Sequence, residues 1–496
     1  MPDTNHPAWV RRLFKYGLAL GVSLHLVTWT GCMVGPDFEP PQVKVPAGWT
    51  GTTQAPSIRP VTLAEIDLAN WWIVFDDPTI TSLIKRAIQS NLDLMQAEAR
   101  IRQAWASRGI ASSDMGPTVD AAGSYQRSRW PSSSGSAANQ YQMGFDAGWE
   151  LDIFGGVRRG IEAADADITA TVETRRDVLV SLTAEVARNY IDLRAFQQRI
   201  AIAGKNLKTQ EHTAKLTRQR FEGGFVGGLD VANAEAEVAT TASGIPLLEA
   251  AARQSIYSLS VLMGLEPAAL VRELSPVLDI PAAPPSVPVG VPSDLLRRRP
   301  DIRRAEAGIH GATARIGVAT ADLFPRFTIF GSAGLQGSTL SESFNWAGRY
   351  WSIGPAVSWP VFDTGRIRAN IELQKAFQEE DIIAYRQTIL TALQEVENAL
   401  IASAKEAEHR KTLARAVTAN EKAVDLATKL YTMGHTDFLN VLTAQRSLYS
   451  SEDALVKSTG AVSTYLVALY KALGGGWEPT PDQGGKTVDI SSPRHP

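Results

Sequence analysis

The amino-acid sequence predicts an α+β membrane protein made of two tandem structural repeats, each with two transmembrane β-strands and long coiled-coil helices. Three observations predict it. A unit of roughly 210 residues recurs along the chain. A segment of period-two alternation in the first copy, beside a more weakly alternating partner, returns as a pair at the matching place in the second, as half-buried strands require. A proline-free helical seam follows each pair of such segments and is far longer than a globular helix.

The chain begins with an address. Arg11, Arg12 and Lys15 precede an apolar stretch from Tyr16 to Val27, the pattern of a secretory signal too short for a comfortable membrane span. Residues 1–31 are therefore read as a signal peptide. Thr30-Gly31 lead into Cys32, the single cysteine, at what resembles a bacterial lipoprotein cleavage site, although Trp29 stands where that pattern favours leucine. An ordinary signal peptide with an incidental cysteine is the alternative. One lipid chain holds a membrane weakly, so a second membrane contact is expected. Residues 32–69 are read as a lipidated, extended segment.

The repeat is visible residue by residue. DLMQAEARI around Asp93 returns as DIRRAEAGI around Asp301, and Pro117 with Gly123-Ser124 returns as Pro325 with Gly331-Ser332, both at an offset of 208. The offset then becomes 210: Trp149 matches Trp359, Gly155 matches Gly365, Glu185-Val186 matches Glu395-Val396, and Gly224 matches Gly434. A loop between the strands absorbs the change. The copies span 70–264 and 293–473, joined by a Pro-rich linker at 265–292.

Each copy reads as helix, two strands, very long helix, return helix. In the run from Tyr141 to Phe154, Tyr141, Met143, Phe145, Ala147, Trp149, Leu151 and Ile153 share one face, and polar residues or glycine occupy the other. This strand, about 141–154, has the length of a tilted membrane-spanning one. Its partner lies at about 118–129, and the second copy repeats the pair at about 326–336 and 350–362. The intervening loops are polar and flanked by Trp130, Tyr141, Tyr350 and Trp351, which suit a membrane-interface girdle. Four strands cannot close a barrel, and open edges are not tolerated in lipid. Several chains must pool their strands.

From about 156 to 222, Ile168, Val172, Leu179, Leu182, Val186, Leu193, Phe196, Ile200, Ala203 and Leu207 recur at spacings of four and three. Arg175 and Asn189 interrupt the seam, either bonding across to neighbouring helices or facing a water-filled passage. At 1.5 Å per residue the helix runs roughly 100 Å. The second copy repeats it at about 366–433, with Ile389, Leu393, Val396 and Leu400 on one seam. Both end at glycine, and return helices follow at about 229–263, which Pro246 should bend, and 437–472. Residues 474–496 read as a disordered tail.

Composition excludes much else. The 496 residues carry 49 basic and 52 acidic side chains, a balance unlike that of a nucleic-acid binder. One cysteine allows neither an intramolecular disulfide nor a cysteine-based zinc site. The histidines are scattered with no HExxH, and Thr480 stands where a phosphate loop ending in Gly485-Lys486-Thr487 needs glycine. No GxSxG elbow occurs. No catalytic residue, cofactor or metal site is expected.

Several stretches, in order, carry a family resemblance: VGPDFEPP after Cys32, NWWIVFDDPTITSLIKRAIQSN, VPSDLLRRRPDIRRAEAGI, IGVATADLFPRFTIFGSAG, VSWPVFDTGRIRA, FLNVLTAQRSLY and YKALGGGW. With these the chain resembles outer-membrane efflux ducts of the TolC/OprM class, in the NodT-like lipoprotein subgroup. The resemblance implies a homotrimer, with a twelve-stranded barrel in outer-membrane lipid and a twelve-helix periplasmic tunnel. It implies a periplasmic adaptor and an inner-membrane pump of RND type as partners, and drugs or toxic small molecules as cargo. A type I protein secretion duct would share the architecture; a coiled-coil stalk with no passage would leave the strand alternation unexplained.

The resemblance also places the site at two helix turns. Gly223, Gly224, Gly227, Gly228 and Asp230 form one adaptor-docking tip, and Gly434, His435 and Thr436 form the other. The gate it implies comprises Asp437, Leu439, Asn440 and Thr443. Asn440 and Thr443 occupy positions where relatives often carry carboxylates, which leaves Asp437 as the acidic candidate for a ring of three. A plain helix N-cap is the alternative for Asp437. His435 either lends pH sensitivity or is simply a solvated tip residue.

Overall fold

The computed structural model describes residues 33–51, 58–60, 68–129, 137–284 and 287–478. The expected signal peptide, Cys32, Trp130 and residues 479–496 lie outside the described residues. In chain order the elements are β1 (Ile58–Pro60), α1 (Pro78–Ser90), α2 (Leu92–Ser113), β2 (Thr118–Ser128), β3 (Ala138–Leu151), α3 (Gly156–Glu222) and α4 (Gly228–Leu262). There follow α5 (Val271–Leu274), β4 (Val287–Val289), α6 (Pro292–Arg298), α7 (Pro300–Ala321), β5 (Arg326–Gly337), β6 (Arg349–Ser358), α8 (Arg366–Thr432) and α9 (Phe438–Ala472). The long helices α3 and α8 have 67 residues each, and the return helices α4 and α9 have 35 each. Helix α4 runs through Pro246 undivided.

The chain divides into two compact units, and both long helices contribute to each. The first unit comprises the N-terminal segment through Gln42, Arg100–Val172 and Arg304–Arg386. It holds an antiparallel sheet in the order β2-β3-β5-β6. Register puts Tyr125 opposite Tyr141, Met143 opposite Leu335, Phe145 opposite Ala333, and Ala333 opposite Trp351. Directly opposed residues share a face, so one face is apolar across all four strands. It is also bare: Phe145, Trp351, Ile353 and Val357 are each more than 60% exposed. The other face carries Ser124, Gln142, Asp146, Ser332 and Ser352.

The strand roots are fastened the same way in both repeats. Trp149 donates its indole N–H to the Met115 carbonyl at 2.9 Å, and Trp359 donates to the Leu323 carbonyl at 3.0 Å. Asp152 then caps α3 through the backbone N–H of Val157 and Arg158, and Asp363 caps α8 through Gly365 and Ile367. Residues 33–38 are strapped to this root. Met33 packs on Gly155, and Arg159, 1% exposed, donates to the Val34 and Gly35 carbonyls and to Asp37 and Glu162. Phe38 stacks on His310 at 4.4 Å.

The second unit comprises Val43–Ala99, Glu173–Arg303 and the chain from Gln387 onward. Its core includes Trp71, Ile80, Leu83 and Ile84, Val186, Tyr190 and Leu193 of α3, and Leu466, Leu469 and Tyr470 of α9, all essentially buried, with Trp71 stacked on Tyr470 at 5.3 Å. Asp77 ties two of these parts together. It caps α1 through Thr79 and Ile80 and accepts a bond from the Tyr190 hydroxyl at 2.8 Å.

Two expectations for this unit need correction. The stretch 265–292 is not merely a linker: it contains α5, and β4 pairs in parallel with β1. The tail expected from 474 onward is ordered through 478. Gly476 donates to the Leu68 carbonyl at 2.7 Å, and the Trp477 ring lies 4.5 Å from the Arg176 guanidinium with Arg298 and Arg303 nearby. Its aromatic face and three cations order a segment whose Gly-rich composition reads as loose.

Candidate functional site

The two helix turns are built alike. At the end of α3, Gly224 takes φ +77°, and Phe225 N–H bonds back to the Arg220 carbonyl at 2.8 Å. At the end of α8, Gly434 takes φ +78°, and His435 N–H bonds back to the Leu430 carbonyl at 2.9 Å. Each is a glycine-terminated helix end in which a left-handed residue lets the chain satisfy its last carbonyls. Gly227 occupies the N-cap position of α4, as Asp437 does for α9. Gly223, Gly227 and Gly228 are exposed, and Asp230 lies in the first turn of α4 with its N–H bonded to the Gly227 carbonyl.

Asp437 sits at the N-cap position but its side chain makes no capping bond. The carboxylate is exposed, as are His435, Leu439, Asn440 and Thr443. Asn440 donates to the Thr436 hydroxyl at 2.7 Å, and Thr443 donates to the Leu439 carbonyl one turn back. These bonds stay within one hairpin, and the turn's outward surface mixes polar groups with the exposed Met433 and Leu439.

Contacts between the two hairpins come from residues the sequence did not single out. Tyr431, Phe438, Val441 and Leu442 form a buried cluster with Ala234 of α4. The Arg220 guanidinium lies 4.5 Å from the Tyr431 ring centroid and donates to the Tyr431 carbonyl at 2.8 Å. Farther along, Arg446 of α9 pairs with the buried Glu237 of α4 at 2.6 Å, and Gln445 donates to Thr213 of α3 at 3.0 Å. Apolar residues just before and after the second turn were the available signal. Nothing in sequence tells which hairpin they touch.

The seam exceptions resolve differently. Arg175 reaches Glu98 of α2 at 2.8 Å, so it bonds across to a neighbouring helix. Asn189 donates back to the Glu185 carbonyl of its own helix. The seam also carries a charge that sequence periodicity missed. Glu173 is 1% exposed, and one carboxylate oxygen accepts both Arg176 and Arg303. Burial pushes its carboxyl above the usual range despite both arginines.

On the sheet, Tyr141 and Trp351 stand on the apolar face, and Tyr141 packs against Tyr125 at 4.7 Å. The expected interface role of Tyr350 is corrected here. Tyr350 pairs with Gly334, which pairs with Gly144, and this column belongs to the polar face. Its hydroxyl accepts a bond from Gln142 at 2.9 Å, and a Cβ on Gly144 or Gly334 would meet that hydroxyl within 2.8 Å. The phenol therefore lies flat across two glycines on the side away from the apolar face.

Among the described residues no group of three or more His, Cys, Asp or Glu side chains is placed to hold a metal ion, and no helix is long and apolar enough to cross a membrane.

Comparison with known proteins adds three findings. The sequence profile of the family described as "Outer membrane efflux protein" matches residues 83–265 and again 291–475. The chain is 32% identical to Nodulation protein T of Rhizobium leguminosarum bv. trifolii over 463 residues, covering 92% of this chain and 97% of that one. It is 33% identical to the toluene efflux pump outer membrane protein TtgC of Pseudomonas putida, covering 94% and 96%. Among solved structures, the outer-membrane channel OprN superposes with a TM-score of 0.84 at 37% identity, covering 90% of this chain and 100% of that one.

Proposed function

The chain belongs to the outer membrane efflux protein family, and we propose that three copies pool their sheets into one closed barrel that conducts small molecules out of the cell. It is the outer-membrane channel component of a tripartite efflux system, lying in the outer membrane and extending into the periplasm. The observation that carries the trimeric barrel is the sheet itself. Its apolar face is bare, and its outer strands β2 and β6 each leave one edge unpaired within the described chain. Lipid tolerates the face but not the edges, because unpaired backbone groups in hydrocarbon cost several kcal/mol each. Pairing β6 of one copy with β2 of the next removes every edge.

In this reading Tyr141 and Trp351 face lipid, whereas Tyr350 and the other polar-face residues face the water-filled passage. The turns at Gly223–Asp230 and Gly434–Thr436 receive a periplasmic adaptor, which couples the duct to an inner-membrane pump of RND type. Three copies of Asp437, whose carboxylate no capping bond engages, form an acidic ring at the entrance with Leu439, Asn440 and Thr443 beside it. An acyl group on Cys32 would leave the chain beside the strap at Met33, adding a second membrane contact to the barrel. The duct conducts passively and breaks no bonds.

Planar-bilayer recording on the purified mature protein, with its mass determined in detergent, tests the reading. Discrete cation-favouring steps from a trimer are expected, and Asp437→Ala is expected to weaken block by divalent cations. A monomer bearing the same steps would sink the pooled barrel.

A further inference from the structure

The polar face of the sheet carries one large, wholly apolar side chain. Phe330 on β5 is 49% exposed and is flanked by glycine on both neighbouring strands, Gly148 on β3 and Gly354 on β6. A Cβ at Gly354 would lie 3.8 Å from its ring. The ring is thus open where side chains would ordinarily cover it. It forms one wall of a cavity of about 540 Å³ at the root of the sheet. That volume falls in the range of small-molecule sites.

The remaining wall is mixed: Trp149, Ile153 and Phe154 stand beside a cluster of carboxylates. Asp114, Glu150, Asp152 and Asp322 line the cavity with a single cation, Arg326. Asp322 pairs with Arg326, and Asp152 is held by Arg158 at 3.0 Å and by the first N–H groups of α3. Arg326 also lies within electrostatic reach of Glu150. Two carboxylates remain in excess beside an uncovered aromatic face.

We propose that this cavity is a transit site for lipophilic organic cations on the channel wall. The proposal rests on the duct reading above, which places the polar face toward the passage. A cation over the face of an aromatic ring is attracted by the ring quadrupole, and excess carboxylates select the sign of charge. The cavity is open to solvent and mixes polar with apolar lining, so a bound molecule leaves readily, as conduction requires. An organic anion of equal size meets the same ring with the wrong charge.

The test is equilibrium binding of tetraphenylphosphonium to the full mature protein in nanodiscs, with tetraphenylborate as the isosteric anion. Relative to empty nanodiscs, the wild type is expected to bind additional phosphonium and no additional borate. Glu150→Gln should weaken phosphonium binding about tenfold and Phe330→Leu about threefold, each without changing the volume greatly. No phosphonium binding by the wild type, equal binding of the borate, or wild-type affinity in both variants overturns the site. Conductance of the wild type, recorded in parallel, separates the two claims. Steps without cation binding sink the site alone, and cation binding without steps sinks the duct and with it the transit role, leaving only a binding cavity.

Discussion

Replacing Arg220 by methionine keeps an unbranched stem near the Tyr431 ring and deletes the guanidinium that spans the two hairpins. That group contributes a cation–π contact at 4.5 Å and a charged hydrogen bond to the Tyr431 carbonyl at 2.8 Å. Such contacts are worth about 0.5–2 and 1.5–3 kcal/mol respectively. Arg220 is only half-buried, so the lower ends apply and the sum is about 2 kcal/mol. The loss falls on local opening of the turn, because the core around Trp71 and Tyr470 makes none of these contacts. Hydrogen exchange by mass spectrometry should therefore show the amides of Gly434 and His435, bonded to the Tyr431 and Leu430 carbonyls, losing about 30-fold in protection. The midpoint of thermal unfolding should hardly move. Arg220→Lys, which keeps the charge but not the fork, should fall between. Unchanged protection in Arg220→Met would refute the claim that this arginine fastens the second turn to the first hairpin.

Two further outcomes follow from the ion pairs. Arg159→Met strips a buried fork from the Val34 and Gly35 carbonyls and from the exposed Asp37 and part-exposed Glu162, at a cost of about 2–3 kcal/mol; limited proteolysis should then cut within residues 33–42, and an intact segment would contradict the strap. Burial alone would raise the Asp453 carboxyl, but hydrogen bonds from Arg199 at 2.6 Å and Lys457 at 2.7 Å overcome it and hold the carboxyl below its ordinary value. A depressed carboxyl stabilises the fold above its unfolded value near ~3.9 and loses that contribution as pH falls through the folded one. Asp453→Asn should therefore melt lower than wild type at pH 7 by about 1–3 kcal/mol. As pH falls below the folded value the gap should close, and a gap independent of pH would assign the effect to packing.

The repeat, the long helices and the apolar strand face were legible because each is a local pattern. Equal helix lengths in the two copies follow from glycines placed 210 residues apart, and a glycine stop acts on its own helix without distant partners. The proposal that several chains pool their strands starts from the sequence too, since four strands with two edges cannot stand in lipid whatever their register.

Tyr350 marks where local pattern ended. Tyr350 and Trp351 are adjacent, so alternation says that one of them leaves the lipid face, but only the pairing with Gly334 and Gly144 decides which. Arg159 and Arg220 look like ordinary helix-surface charges in sequence. Their partners are backbone carbonyls at Val34, Gly35 and Tyr431, and every residue carries a carbonyl. Trp477 follows three glycines and reads as loose chain until arginines far away in sequence close around its ring. The sequence by itself thus determined the elements, their duplication and the face that seeks lipid, all of which depend on periodicity within one segment. Only the tertiary structure decided which side chains hold the turns, the strap and the C-terminal segment, because those contacts join segments whose spacing in the chain carries no information about their distance in space.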